Sequence, residues 1–160
     1  MKPIIECVPN FSEGQDETTI AAIAAAVKSV EGVQLLHQDS GKAANRTVYT
    51  FAGEVQAVFE AAYRAIAVAV EKIDMRKQKG EHPRIGACDV CPFIPISGIS
   101  LKELVPLTRS FAEKVSRDFR ISIFFYEESA TSKKRKNLAS HRIGQYEALR
   151  ERLKNGKWKS

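Results

Sequence analysis

Cysteine is scarce in this 160-residue chain, and so are long apolar runs and acids near the C-terminus. Each shortage excludes something. No apolar stretch approaches the roughly 20 residues that span a bilayer as a helix, which argues against a membrane protein. The opening residues, MKPIIECVPN, lack the apolar core of a secretory leader and pass into a strand-like run almost at once, so the cytoplasm is the expected location. Three cysteines (Cys7, Cys88 and Cys91) are an odd number without a secretion signal, which argues against a disulfide framework. Between residues 131 and 160 two acids face ten Lys and Arg, whereas the first 130 residues carry seventeen acids and fifteen bases. The net charge of +6 therefore describes the C-terminal segment, which is either a solvated tail or an attractor of polyanions.

What is present is a globular composition, 44% apolar and 28% charged, enough at this length for one domain with a real core. Residues 4–8 (IIECV) read as a strand closed by Pro9-Asn10, and the polar loop NFSEGQ follows. Over 16–30, Ile20, Ile23, Ala24, Val27 and Val30 share a helical face, with Asp16 placed to cap the start and Gly32 to end it. Strands are expected at 33–39 and 47–52, then an alanine-rich helix over 54–73. A fourth strand is expected at 87–96. Ser100 and Glu103 form a capping-box signature for a helix over 100–119, with Pro106 predicting a kink or a late start. ISIFFY, 121–126, reads as a fifth strand, and 145–153 as a last helix. The fold class expected is α+β. Its first six elements follow the β-α-β-β-α-β order of a ferredoxin-like antiparallel sheet with helices on one face, extended by a further α-β-α. The expected organisation is one domain over 1–160, ending in the basic segment 130–160.

Three histidines compete for attention. His37 falls in a strand where alternation puts it on the face of Val33 and Leu35, and His141 stands in the basic tail with no acid beside it. His82 differs in setting. It lies between Gly80 and Gly86, flanked by Glu81, Pro83 and Arg84, in a loop that leads into a strand. Loops held by rigid elements are where chemistry concentrates, and imidazole is the natural proton shuttle at neutral pH. A structural turn histidine is the competing reading. Cys88 and Cys91 have CxxC spacing, but both fall within an apolar strand, where residues three apart face opposite ways. No metal is expected, and the three cysteines read as buried small hydrophobes. Arg46, Arg76, Lys77, Lys79 and Arg84 cluster in the loops, suiting an anionic substrate or simply a solvated surface. Asp39 could orient an imidazole, bind a cationic group or cap a turn. The RNA-binding pattern of ferredoxin-like sheets is absent from every strand, so nucleic acid is not expected.

Four stretches together, ECVPNFSEG, NRTVYTF, IDMRKQKGEHPRIGACDVCPFIP and GQYEAL, resemble the N-terminal subdomain of glutamate formimidoyltransferase, which also occurs in formimidoyltransferase-cyclodeaminase. The resemblance runs from about Ile4 to Trp158. It implies transfer of a formimino group from N-formimino-L-glutamate to tetrahydrofolate, the co-substrate, in histidine degradation. It places the catalytic acid/base on His82, with Asp39, Asn45, Arg46 and Arg84 near the site and Lys79 among the cations for carboxylates. It also implies a cleft between two similar subdomains. The second is expected to be absent here, because the sequence ends at Trp158-Lys159-Ser160 where the family continues. Partners then implied are the two small molecules and either a homo-oligomer or a separate chain carrying the second subdomain. Cys88 and Gln145 depart from the leucine-like and glutamate residues expected at their positions. The alternative expectation is a non-catalytic folate- or partner-binding module that keeps the fold.

Overall fold

The computed structural model describes residues 2–155. Strands β1 (Ile4–Cys7) and β2 (Asn10–Phe11) come first, then helix α1 (Glu17–Lys28), strands β3 (Val33–Gly41) and β4 (Arg46–Glu54), and helix α2 (Val55–Lys72). Strands β5 (Cys88–Val90) and β6 (Phe93–Ser97) follow, then helices α3 (Leu101–Phe119), α4 (Leu138–His141) and α5 (Gln145–Lys154). All strand pairs are antiparallel. β3 lies against one edge of β4; β1 and β2 lie end to end along its other edge. β6 then pairs with β1, and β5 with β2.

The sheet has a covered face and an open one, because side chains alternate along each strand. Ile5, Cys7, Thr47, Tyr49 and Phe51 point to the covered face and are all fully buried. Helix α1 is fixed there by the Tyr49 hydroxyl, which donates to the Ile20 carbonyl at 2.9 Å. Helices α2 and α3 meet the same face through an aromatic cluster. Phe59 stacks on Phe111 at 5.2 Å between centroids, and both rings contact Phe93 edge-on. Each large side chain fully buried here contributes about 1.5–3 kcal/mol. The open face carries Glu6, Asn10, Arg46, Val48, Thr50, Ala52 and Ile94, the residues of opposite parity.

Helix starts obey their sequence signals: Asp16 caps α1 by accepting from Thr18 N at 3.0 Å. The end of α1 departs from expectation, because right-handed Ser29 is its cap and the left-handed Gly32 (φ 80°) turns the chain only further on. Ser100 and Glu103 form the reciprocal capping box, so α3 starts at Leu101 and Pro106 lies inside it. The late start considered for this helix does not occur.

Four expectations need correction. The strand expected over 87–96 breaks into β5 and β6 at Cys91-Pro92, which faces Val8-Pro9 across the ladder. Two prolines without N–H groups leave Val8 N to Pro92 O, 3.2 Å, as the bond across the gap. Cys88 and Cys91 therefore do not share a strand, and the opposite-faces argument fails: Cys91 Sγ stands 3.6 Å from Cys7 Sγ. Alternation in β3 is broken by a bulge between Leu35 and His37, which turns His37 away from Leu35's face and leaves it exposed. Segment 121–126 joins no ladder among the described residues; it runs beside α3, where burial satisfies its apolar side chains without a partner strand. The expected α-β-α extension is thus α3, this segment, and the short helices α4 and α5.

Candidate active site

His82 is carried by the loop 73–87 between α2 and β5, and Asn45 ties that loop down. Asn45 stands immediately before β4 with a left-handed φ of 48°, a region asparagine tolerates better than most residues. Its buried Oδ1 accepts from Gly14 N at 2.9 Å, and its Nδ2 donates to the Lys79 carbonyl at 2.7 Å. Its own carbonyl accepts from Gln78 Nε2 at 2.9 Å. Three loops thereby meet on one residue. Gly80 allows the approach: a Cβ there would lie 2.3 Å from the Ala44 carbonyl oxygen.

The His82 ring is oriented on both sides. Nδ1 lies 2.7 Å from the Pro83 carbonyl oxygen, which accepts only, so Nδ1 carries the proton and Nε2 the lone pair. Nε2 accepts from Arg46 Nη1, while Arg46 Nη2 donates to Asn10 Oδ1. Partial burial lowers the Arg46 pKa, with Asp89 opposing that shift and Arg142 adding to it.

Arg84 turns the other way, into the protein. Its Nε donates to Gln78 Oε1 at 2.6 Å. Nη1 reaches Gln145 Oε1 and Glu147 Oε2, both at 2.9 Å, and Nη2 reaches the Gln78 carbonyl at 3.0 Å and Glu147 Oε1 at 2.8 Å. Those bonds use all five donors of the guanidinium. Consecutive left-handed residues, Gly144 (φ 74°) and Gln145 (φ 54°), bring the start of α5 onto it, and Tyr146 N donates to the Arg84 carbonyl at 3.0 Å. Asp89 makes a parallel tie, accepting from Ile85 N at 2.7 Å and from Arg142 Nη2 at 2.6 Å.

Of the residues predicted for the site, His82, Asn45, Arg46 and Arg84 come together around a cavity of about 10 Å³ that Asn10 and Asp89 also bound. Lys79 sits at the rim: its ammonium lies 3.7 Å from Glu147 and its side chain is exposed. Asp39 pairs with Val48, exposed on the open face and diagonal to Arg46, without a bond to His82. His141 is buried, 2.8 Å from the Arg135 carbonyl and ring-to-ring with Phe124, away from this cavity. Sequence reasoning assigned no role to Asn10, Gln78, Asp89, Arg142 or Glu147. Asn10, Gln78, Asp89 and Glu147 lie inside the motifs ECVPNFSEG, IDMRKQKGEHPRIGACDVCPFIP and GQYEAL, which was the available signal; Arg142 lies outside them. Among the described residues, no group of three or more His, Cys, Asp or Glu side chains is placed to hold a metal ion. No helix among them is long and apolar enough to cross a membrane.

The Arg84 side-chain bonds hold Glu147 well below the ordinary carboxyl value of 4.5, at about 2. A carboxyl whose pKa is depressed by folding adds stability above its unfolded pKa and loses it as pH falls through the folded value. Stability is therefore expected to decline between about pH 4.5 and 2, modestly because the Glu147 side chain is 54% exposed. Glu147→Gln is expected to flatten this acid limb, read as the urea midpoint from pH 5 to pH 2. An unchanged slope would remove Glu147 as its source.

An oriented imidazole beside an arginine, on the open face of an antiparallel sheet, is chemically able to accept and return a proton. The chain belongs to the formiminotransferase family: residues 4–160 match the formiminotransferase domain, N-terminal subdomain. Over 158 residues it is 47% identical to the glutamate formimidoyltransferase of Streptococcus pyogenes serotype M1, covering 99% of this chain and 53% of that protein. It is likewise 47% identical over 159 residues to the formimidoyltransferase-cyclodeaminase of Dictyostelium discoideum, covering 99% of this chain and 30% of that protein. The glutamate formimidoyltransferase of Thermoplasma acidophilum is 39% identical over 158 residues, with 98% and 52% covered. The chain thus spans about half the length of the formimidoyltransferases it matches, and under a third of the cyclodeaminase fusion.

Proposed function

We propose that this chain supplies the His82 side of a site that transfers a formimino group from N-formimino-L-glutamate to N5 of tetrahydrofolate, as part of a larger active unit in the cytoplasm. The observation that carries this reading is the contact between His82 Nε2 and Arg46, in a chain of this family. The antiparallel pairing order, with α1, α2 and α3 on one face, supports a ferredoxin-like layer whose other face is left for a second subdomain. That open face includes Ile94 and Ile96, 38% and 57% exposed, as expected of a surface that another unit covers. The covering unit is either a second copy of this chain or the family's other subdomain, on the same or a separate chain.

In the reaction the folate amine attacks the amidine carbon, and the tetrahedral intermediate expels the glutamate nitrogen. One proton leaves the attacking amine and one reaches the leaving nitrogen. His82 Nε2 carries a lone pair and is assigned both transfers once Arg46 releases it. A substrate carboxylate supplies the exchange: it binds the guanidinium better than a neutral imidazole does, drawing Arg46 away and freeing Nε2. Lys79 at the rim and Asp39 on the open face are assigned to outer parts of the substrates. Asn45 and Arg84 position the loop.

The test is turnover of formiminoglutamate and tetrahydrofolate by the chain, alone and mixed with the C-terminal half of a bacterial relative. Formimino transfer in the mixture is the expected result. Folate binding without transfer in either sample would replace this reading with that of a non-catalytic binding module.

A further inference from the structure

Outside the His82 site, the densest group of nucleophilic side chains is the cysteine cluster. Cys7 lies on the covered face of β1, fully buried, and its sulfur stands 3.6 Å from that of Cys91. Cys91 falls in the gap between β5 and β6, where Pro9 and Pro92 interrupt the ladder. Two sulfurs at van der Waals separation must move closer by about 1.5 Å to bond. A ladder interruption is where a strand pair has the slack to do so.

Access comes from within. Cys88 and Cys91 are both half-buried and line a largely apolar cavity of about 150 Å³, walled by Phe93, Phe111, Phe125 and Tyr126. Such a cavity admits a small neutral oxidant more readily than a charged one. Hydrogen bonds from Cys7, then Cys88, hold the Cys91 thiol below the usual range, while burial pushes Cys7 up. Cys88 is raised as well, so the asymmetry marks only Cys91 as the nucleophilic sulfur, and the 3.6 Å contact selects Cys7 as its resolving partner.

We propose that Cys91 and Cys7 form a reversible thiol–disulfide pair, with Cys91 attacking hydrogen peroxide and Cys7 resolving the product. In the first step the Cys91 sulfur attacks one peroxide oxygen, the O–O bond breaks, and water leaves, giving a sulfenic acid. In the second, the Cys7 sulfur attacks the Cys91 sulfur, the S–O bond breaks, and a second water leaves. The two thiols lose two electrons and two protons to the peroxide. The bridge joins β1 to the β5–β6 break, three residues before Asn10.

The experiment exposes the reduced, folded full chain to a few equivalents of hydrogen peroxide, blocks free thiols with N-ethylmaleimide, and maps peptides without reduction. The expected product is a Cys7–Cys91 bridge reversed by dithiothreitol, with Cys88 carrying the maleimide. Cys7→Ser is expected to abolish the bridge and raise dimedone-trapped sulfenic acid at Cys91 at least tenfold over the parent chain. Cys88→Ser is expected to leave the bridge yield unchanged, which keeps the test decisive if Cys7→Ser does not fold. A dominant Cys88–Cys91 bridge would overturn the proposal. So would irreversible oxidation of Cys91 with Cys7 still free, or the absence of any thiol oxidation.

Discussion

Replacing His82 by alanine is expected to lower formimino transfer by about 10²–10⁴-fold, the range over which a positioned acid–base group contributes. The loss should fall on kcat, because in the proposed reaction the ring moves protons in the transition state and holds neither substrate. Folding should be largely spared. The side chain is only partly buried, and its two bonds go to the Pro83 carbonyl and to Arg46, both able to turn to water. The measurement is turnover of the mutant and parent chains under conditions where the parent transfers, together with their urea midpoints. A mutant keeping more than a tenth of the parent rate would remove His82 from the proton transfers. A lowered midpoint would instead mark it as a structural turn residue.

Asn45→Ala is expected to produce the largest loss of stability among the site residues, about 3–5 kcal/mol. Alanine at a φ of 48° costs about 1–2 kcal/mol by itself. The substitution also strips partners from the buried Gly14 N–H and from the Lys79 carbonyl, and an orphaned buried group costs about 1–3 kcal/mol. Asn45→Gly removes the backbone strain and keeps neither bond. Asn45→Asp keeps the acceptor for Gly14 and loses the donor to Lys79. Both should fall between the parent and the alanine variant in urea midpoint at unchanged m-value. If alanine lies within about 1 kcal/mol of the parent, which is the size of an ordinary substitution, Asn45 is not the tie that fixes the His82 loop.

These two residues also mark how far a sequence can be read. His82 could be singled out because its signal is local, glycines and a proline around an imidazole in a loop leading into a strand, while its catalytic assignment came from the family resemblance. Asn45 could be named, but its role could not, since its partners Gly14 and Lys79 lie 31 and 34 residues away. Helices were read nearly to their ends, because caps such as Asp16 and the Ser100–Glu103 box act within one turn. Strands fared worse. The break at Cys91-Pro92 depends on which proline lies across the ladder, and the bulge at Leu36 on the register with β4; both are properties of pairs. ISIFFY has strand composition, yet composition says nothing of whether a partner edge is available. Arg84 shows the same limit in charge. It looked like a cation free for substrate, and its bonds to Gln78, Gln145 and Glu147 turn it inward.

The clamp on Arg84 also has a consequence for the order of assembly. Its partners Gln145 and Glu147 lie 61 and 63 residues further along the chain. During synthesis the loop bearing His82 therefore leaves the ribosome well before the helix that holds it. Until that helix arrives, Arg84 has only Gln78 to bond, and closing so long a loop carries an entropic cost that contacts must first offset. The hairpin of β3 and β4 pairs residues from Gly41 and Arg46 out to Val33 and Gly53, all much nearer in sequence than Arg84 and Glu147, and is free to form first. The loop bearing the histidine can thus be tied to Asn45 and Arg46 early, and it gains its last tie, the Arg84 clamp, only when α5 is in place.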